Sequence, residues 1–258
     1  MSHVPMSRSA RPGVRVAHRH PPAGRGGRVP QHGLARVVAG VALAAGMLVL
    51  GLIAKAGPVA RLDLKLDQHI AAHDRAGALT SLARAVTTIA TPETVGVGLM
   101  IVVPVILLLA RRRLDAVKVF CIFAGAFTLA EAGKILVGEH RPPAALQAMP
   151  ADSGASFPSG HATVAAVLAV ALVVAAASVA GRWAALVLGG LYAAAVAVSR
   201  VYLADHFALD VIGSALCALA AAFIVTGLAA LPAVQPYLRR ISQHGGRHRD
   251  PARGADDR

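Results

Sequence analysis

Six apolar stretches of roughly 20 residues, divided by short basic or loop segments, constrain this chain more than any other feature. They cover 34–54, 94–110, 114–137, 162–180, 183–198 and 207–231. Each is close to the length a helix needs to cross about 30 Å of hydrocarbon. Lipid offers no hydrogen bonds, so the backbone must satisfy itself and helices are expected rather than strands. Composition agrees: 56% of residues are hydrophobic and 15% charged, where a globular domain averages about 25% charged. That balance excludes an ordinary soluble domain, a disordered chain, a coiled coil and a secreted disulfide scaffold. The expected fold class is all-α, a polytopic membrane protein built as a six-transmembrane-helix bundle. Gly189, Gly190 and Ala193 to Ala195 are the kind of small residues that let membrane helices approach closely. Pro104 interrupts the second stretch, and Lys118, Glu131 and Lys134 interrupt the third.

The cations predict orientation. Arg8, Arg11, Arg15, Arg19, Arg25 and Arg28 precede the first stretch, and Arg111, Arg112 and Arg113 separate the second from the third. Arg182 lies between the fourth and fifth, and Arg239, Arg240, Arg247, Arg249, Arg253 and Arg258 follow the sixth. An even number of crossings puts all of these on one side, which predicts both termini in the cytoplasm of a multi-pass cell-membrane protein. The connection 55–92 then faces outward, and Leu62, Leu66 and Ile70 recur in it at four-residue spacing, as in an amphipathic helix at the interface. Ala54-Lys55-Ala56 resembles a cleavage site, but the preceding run is longer than a signal-peptide core of about 7–15 residues, so an uncleaved anchor is expected.

The domain reading is a basic tail over 1–33, a membrane domain over 34–240 and a second basic tail over 241–258. The tails are rich in Arg, Gly, Pro and His and are expected to be disordered. Their arginines read as juxtamembrane cations facing anionic lipid, with no nucleic-acid partner. His3, His18, His20 and His32 read as solvated. Cys121 and Cys217 have no CxxC spacing and read as small buried apolar residues. Trp183, Tyr192 and Tyr202 read as interface anchors.

Charged residues within or beside membrane spans mark candidate sites. Three clusters qualify: 134–142 from Lys134 to Arg141-Pro142, 157–161 as Phe-Pro-Ser-Gly-His, and 199–210 carrying Ser199-Arg200, His206 and Asp210. On the predicted topology all three lie at the outward ends of spans. Lys134, Arg141 and Arg200 have no obvious set of acidic partners, so the missing group is an anion, and Arg forks match phosphate oxygens. Ser159 and Gly160 precede an apolar helix whose first N–H groups suit the same anion. His206 and Asp210 are four apart and share a helix face, so the carboxylate can hold one ring N–H and leave the other nitrogen as nucleophile. His161 can protonate the departing oxygen. Fixed cations supply the charge stabilisation, and no metal or other cofactor is expected. Glu131 stands one turn before Lys134 and either orients it or forms a structural ion pair. Glu139 and His140 read as a solvent-facing loop pair, and Asp205 as a helix cap.

These residues resemble the signature motifs of the type-2 phosphatidic acid phosphatase superfamily, KxxxxxxRP, PSGH and SRxxxxxHxxxD, and all eleven specified positions match in order. The resemblance implies a six-helix, metal-independent membrane phosphatase acting on lipid phosphates or diphosphates, of the undecaprenyl diphosphate, phosphatidylglycerophosphate or phosphatidic acid class. It implies His206 as nucleophile, Asp210 as its orienting group and His161 as general acid. Lys134, Arg141, Ser159, Gly160 and Arg200 would hold the phosphate. A non-catalytic anion-binding or transport protein is the alternative, though a carrier has no need of the His206–Asp210 pair and a second histidine. The vanadium haloperoxidases share the motifs but are soluble, and six spans argue against that reading.

Overall fold

The computed structural model describes residues 31–150 and 154–243. The expectations for the tails at 1–30 and 244–258 lie outside these. Among the described residues every regular element is helical. The helices are α1 (Gln31–Ala54), α2 (Gly57–His69), α3 (Gly77–Thr88), α4 (Val97–Leu109), α5 (Arg113–Val137), α6 (Gly160–Ala175), α7 (Val179–Tyr202), α8 (Ala208–Ala230) and α9 (Gln235–Gln243). Helix therefore reaches further into the expected tails than foreseen, taking in Gln31 to Gly33 at one end and Ile241 to Gln243 at the other.

All six apolar stretches form helices, but not of equal length. Four (α1, α5, α7 and α8) are long and apolar enough to cross a membrane, while α4 and α6 are shorter apolar helices. At 1.5 Å per residue, α4, of 13 residues, rises about 20 Å and α6, of 16 residues, about 24 Å. A single π-helical turn, Pro92–Gly96, leads into α4, and Pro104 sits inside it. These multi-pass apolar helices make the chain a membrane protein.

The bundle is assembled around α8. Helix α1 lies along α8, α5 and α6 also pack on it, and α7 and α4 flank α6 and α5 respectively. Small residues set the separations. A Cβ on Gly189 would stand 2.9 Å from Ala169 of α6, so its absence brings α6 and α7 into backbone contact. Gly190 has open space around it and plays no such part. The core between α5, α6 and α8 holds Ile122, Phe123, Ala126, Val167, Cys217 and Ala221. Cys217 is buried there, but Cys121 is exposed on α5, contrary to the expectation for both. Lipid is as apolar as the core, so hydrophobicity alone does not decide which way a small residue on a spanning helix points.

Helices α2 and α3 are not spans; they lie between α1 and α4 in sequence. The expected amphipathic helix is present as α2, with its polarity turned inside out. Leu62 and Leu66 are exposed, while Asp63 and Asp67 are buried. Tyr202, expected as an interface anchor, is instead buried at the end of α7. Its hydroxyl accepts the Ala76 N–H at 3.2 Å and meets Thr80 Oγ1 at 3.1 Å, tying α3 to the bundle. Trp183 is exposed near the opposite end of α7.

Candidate active site

The site lies where α5 ends, α6 begins, α7 ends and α8 begins, at one end of the bundle. Each boundary has a local cause. Helix α5 stops at Gly138, whose φ of +58° is the left-handed conformation glycine takes without strain. Ser159 caps α6, its hydroxyl accepting the Ala162 N–H at 3.4 Å. Asp210 in the first turn of α8 accepts the Phe207 N–H at 3.0 Å, closing the start of that helix. The α7–α8 turn is folded back on the Arg200 carbonyl, which accepts the N–H groups of Asp205 and His206 at 3.1 and 3.4 Å.

This turn presents His206, which is fully buried. Its Nδ1 lies 3.1 Å from Asp210 Oδ2, so the hydrogen-bond network assigns the ring proton to Nδ1 and the lone pair to Nε2. Arg141 Nη1 is 3.1 Å from that Nε2 and donates to the Asp205 carbonyl at 3.0 Å. Burial lowers the pKa of His206; Asp210 opposes the shift, and Arg141 and Arg200 reinforce it. The imidazole is therefore neutral at neutral pH, the form a nucleophile requires.

The three expected cations are distributed differently from the reading above. Arg200 is fully buried and ion-paired with Asp205. Arg141 Nη1 reaches the same carboxylate at 3.6 Å. Asp205 is thus no helix cap; Phe207 holds the cap position of α8. Asp205 is a buried carboxylate bridging two guanidinium groups, and it supplies an acidic partner where none had been foreseen. A buried guanidinium beside a partly buried one is costly without a counter-charge, which is why the turn carries one. Lys134 donates to Glu131 at 2.7 Å, one turn back on α5, so its ammonium is engaged by a carboxylate of its own helix.

Ser156 was missed by sequence reading. It is fully buried, and its hydroxyl donates to Asp210 Oδ2 at 2.5 Å and lies 3.4 Å from His206 Nδ1. Its only signal in the sequence is a hydroxyl two residues before Pro158, too weak to select it. Phe157 explains how it is held. The ring fills a slot left by Gly51 of α1 and Gly213 of α8, where any Cβ would collide with it. That anchors the Ser156–Ser159 segment against two helices. Ser214 of α8 secures the far end, donating to the carbonyls of Ser159 and Asp210 at 2.8 and 3.0 Å. His161 is buried in the first turn of α6, two residues from this junction. The amides of Gly160 and His161 stand at the N-terminus of α6, where helix geometry gives them no intrahelical acceptor.

Glu139 also departs from expectation. His140 is exposed, but Glu139 is buried because the left-handed turn at Gly138 directs the chain back over the site. The Glu139 carbonyl accepts the Ser156 N–H at 2.8 Å. Among the described residues, no three His, Cys, Asp or Glu side chains are placed to hold a metal ion.

Taken together, the fold and site define a multi-pass helical membrane protein with a buried histidine–aspartate pair beside two arginines. The model of the PAP2 superfamily matches residues 94–230, more than half of the chain, and the chain belongs to that superfamily. The fold is similar to the crystal structure of a transmembrane PAP2-type phosphatidylglycerolphosphate phosphatase from Bacillus subtilis. The TM-score is 0.64, with 23% identity over 73% of this chain and 94% of that one. No curated protein sequence matches the chain. Its general class is that of a membrane phosphatase.

Proposed function

We propose that this protein hydrolyses a lipid-linked phosphate or diphosphate through a phosphohistidine on His206, without a metal ion. The observation that carries this reading is the pairing of the two ring nitrogens: Nδ1 held by Asp210 and Nε2 capped by Arg141. In this state the Arg141 guanidinium occupies the nucleophile's lone pair. An incoming phosphate draws that guanidinium onto its own oxygens, where bidentate charge-assisted bonds are stronger, and uncovers Nε2. The lone pair then attacks phosphorus. The bond to the lipid oxygen breaks, and His161 gives that oxygen a proton. A water next attacks the phosphohistidine, returns a proton to His161 and releases orthophosphate.

In this mechanism Arg200, Arg141 and the Gly160 amide at the start of α6 stabilise charge on the transferring group, while Ser159, its N–H directed at the Asp210 carbonyl at 3.4 Å, caps the helix that presents that amide. Lys134 would leave Glu131 to meet an outer oxygen of the substrate. Asp205 keeps the two guanidiniums in register between turnovers. The solved neighbour is described as a phosphatidylglycerolphosphate phosphatase, which favours a phospholipid phosphate over a soluble ester. The membrane domain is 34–240, and α4 and α6 complete six crossings with the turns that flank them. Both termini are cytoplasmic and the site faces outward. Helix α1 stays as an anchor, since Met47 and Ala54 are buried against the rest of the bundle.

The test is phosphate release from a panel of lipid monophosphates and diphosphates by the purified protein, with chelator present. Activity that survives EDTA and is inhibited by vanadate supports the proposal. Activity abolished by EDTA and restored by magnesium overturns the mechanism.

A further inference from the structure

We propose that Glu139 is a positioning residue held in its acid form, its carboxyl proton donated to Asp210, so that a carboxylic acid fixes the orientation of the His206–Asp210 pair. The proposal rests on the function proposed above. The accounting of hydrogen bonds around Asp210 is its starting point. Oδ2 takes three groups: the Ser156 hydroxyl, the Phe207 N–H and His206 Nδ1. Oδ1 is buried and takes none, and Glu139 Oε2 is likewise buried without a donor. Two such orphan acceptors in one buried site are expensive. Ser156 brings the two acids together, its N–H bonded to the Glu139 carbonyl at 2.8 Å and its hydroxyl to Asp210 Oδ2, and two neighbouring carboxyls cannot share a hydrogen bond unless one is protonated. One proton between them satisfies both.

The surroundings decide which group keeps it. Three donors stabilise the charge on Asp210, and nothing comparable serves Glu139. Helix α2 adds to the difference. Its inverted polarity puts Asp63 and Asp67 on the buried side, and Asp63 acts on Glu139 directly. The cation beside Glu139 is Lys55 at the end of α1, whose ammonium donates to the Val137 carbonyl at 2.9 Å. His206 is bonded to Asp210, and Arg141 to His206 and the Asp205 carbonyl. Burial first, and then Asp210 and Asp63, push Glu139 up to about 8. Asp67 rises to about 7 and Asp63 to about 6, both chiefly by burial. The acid form of Glu139 is the positioning form, so its contribution is present at neutral pH and is lost as pH rises through about 8.

The experiment compares the full-length protein in lipid vesicles with Glu139→Gln, Glu139→Ala and Asp67→Asn, measuring kcat and KM across the neutral and alkaline range. Wild type should lose kcat along an alkaline limb near pH 8. Glutamine keeps a donor and cannot ionise, so Glu139→Gln should hold neutral kcat within about threefold and lack that limb. Glu139→Ala should lower kcat about tenfold or more with KM little changed, and Asp67→Asn should retain the limb. Infrared difference spectra on raising pH should show a protonated-carboxyl C=O band disappearing in wild type and absent in Glu139→Gln. An unchanged alkaline limb and an unchanged infrared band in Glu139→Gln overturn the proposal. If wild type releases no phosphate from any lipid, the function reading fails instead, and the infrared band still decides the protonation of Glu139.

Discussion

Replacing Asp210 by Asn isolates the charge of the histidine's partner from its geometry. The three groups that meet Asp210 all converge on one oxygen, Oδ2: Ser156 Oγ at 2.5 Å, Phe207 N at 3.0 Å and His206 Nδ1 at 3.1 Å. An Asn with its amide oxygen at that point keeps all three as donors. Its NH2 then occupies the Oδ1 position and donates to Glu139. The cap of α8 and the ring tautomer therefore survive, and what disappears is the negative charge. When Nε2 bonds to phosphorus the ring becomes cationic, and a carboxylate at 3.1 Å stabilises that charge by about 5 kcal/mol at an effective dielectric of about 20. The Asn dipole recovers part of this, leaving a loss of about 3–5 kcal/mol, or about 10²–10⁴ in kcat. Pre-steady-state release of the dephosphorylated lipid under saturating lipid phosphate measures the step directly, and thermal unfolding checks that the fold is unchanged. A kcat within tenfold of wild type would refute the role given to Asp210.

Other predictions concern binding, pH and packing. Arg141→Ala should raise KM and lower kcat, together about 10²-fold or more in kcat/KM, because one guanidinium serves both the phosphate and the histidine; steady-state kinetics separate the two. The burial-lowered pKa of His206 puts protonation of the nucleophile below its ordinary value of about 6.5. Activity should therefore hold at neutral pH and fall only as pH drops below that value, which a kcat/KM profile will show. Gly213→Ala should drive a methyl group into the Phe157 ring, costing about 1–3 kcal/mol; a fall in Tm together with a fall in kcat would report displacement of Ser156. Tyr202→Phe removes the hydroxyl that ties α3 to α7 and should loosen α3 with kcat little changed, as read by proteolysis between α2 and α4.

What could be read in advance divides along a physical line. The six apolar stretches depend on length and hydrophobicity and the charged clusters on local spacing; all six stretches are helical, though α4 and α6 are shorter than foreseen. The His206–Asp210 contact follows from the same reasoning, being four residues apart across a helix start. Contacts between distant segments were not legible. Ser156 reaches Asp210 across 54 residues, and no local pattern marks such a hydroxyl. Glu139 turns inward because Gly138 takes a left-handed conformation, and a glycine in the sequence permits that without requiring it. The direction of α2 was invisible for a related reason. Its spacing of Leu62 and Leu66 identified an amphipathic helix, but in a membrane setting the apolar face can turn to lipid and leave acids inside. Asp205 was misread because proximity to a helix start suggested a cap, and only the fold shows that Arg141 and Arg200 both converge on it.

The central claim is that His206 Nε2 carries the phosphoryl group during turnover. Protein incubated briefly with a radiolabelled lipid phosphate and quenched in alkali, which preserves phosphohistidine, can be digested and mapped by mass spectrometry. The account predicts an acid-labile phosphate on the peptide containing His206, lost in His206→Ala and chased by water in wild type. Label on Ser159 or another side chain, or turnover that persists in His206→Ala at the wild-type rate, would contradict it.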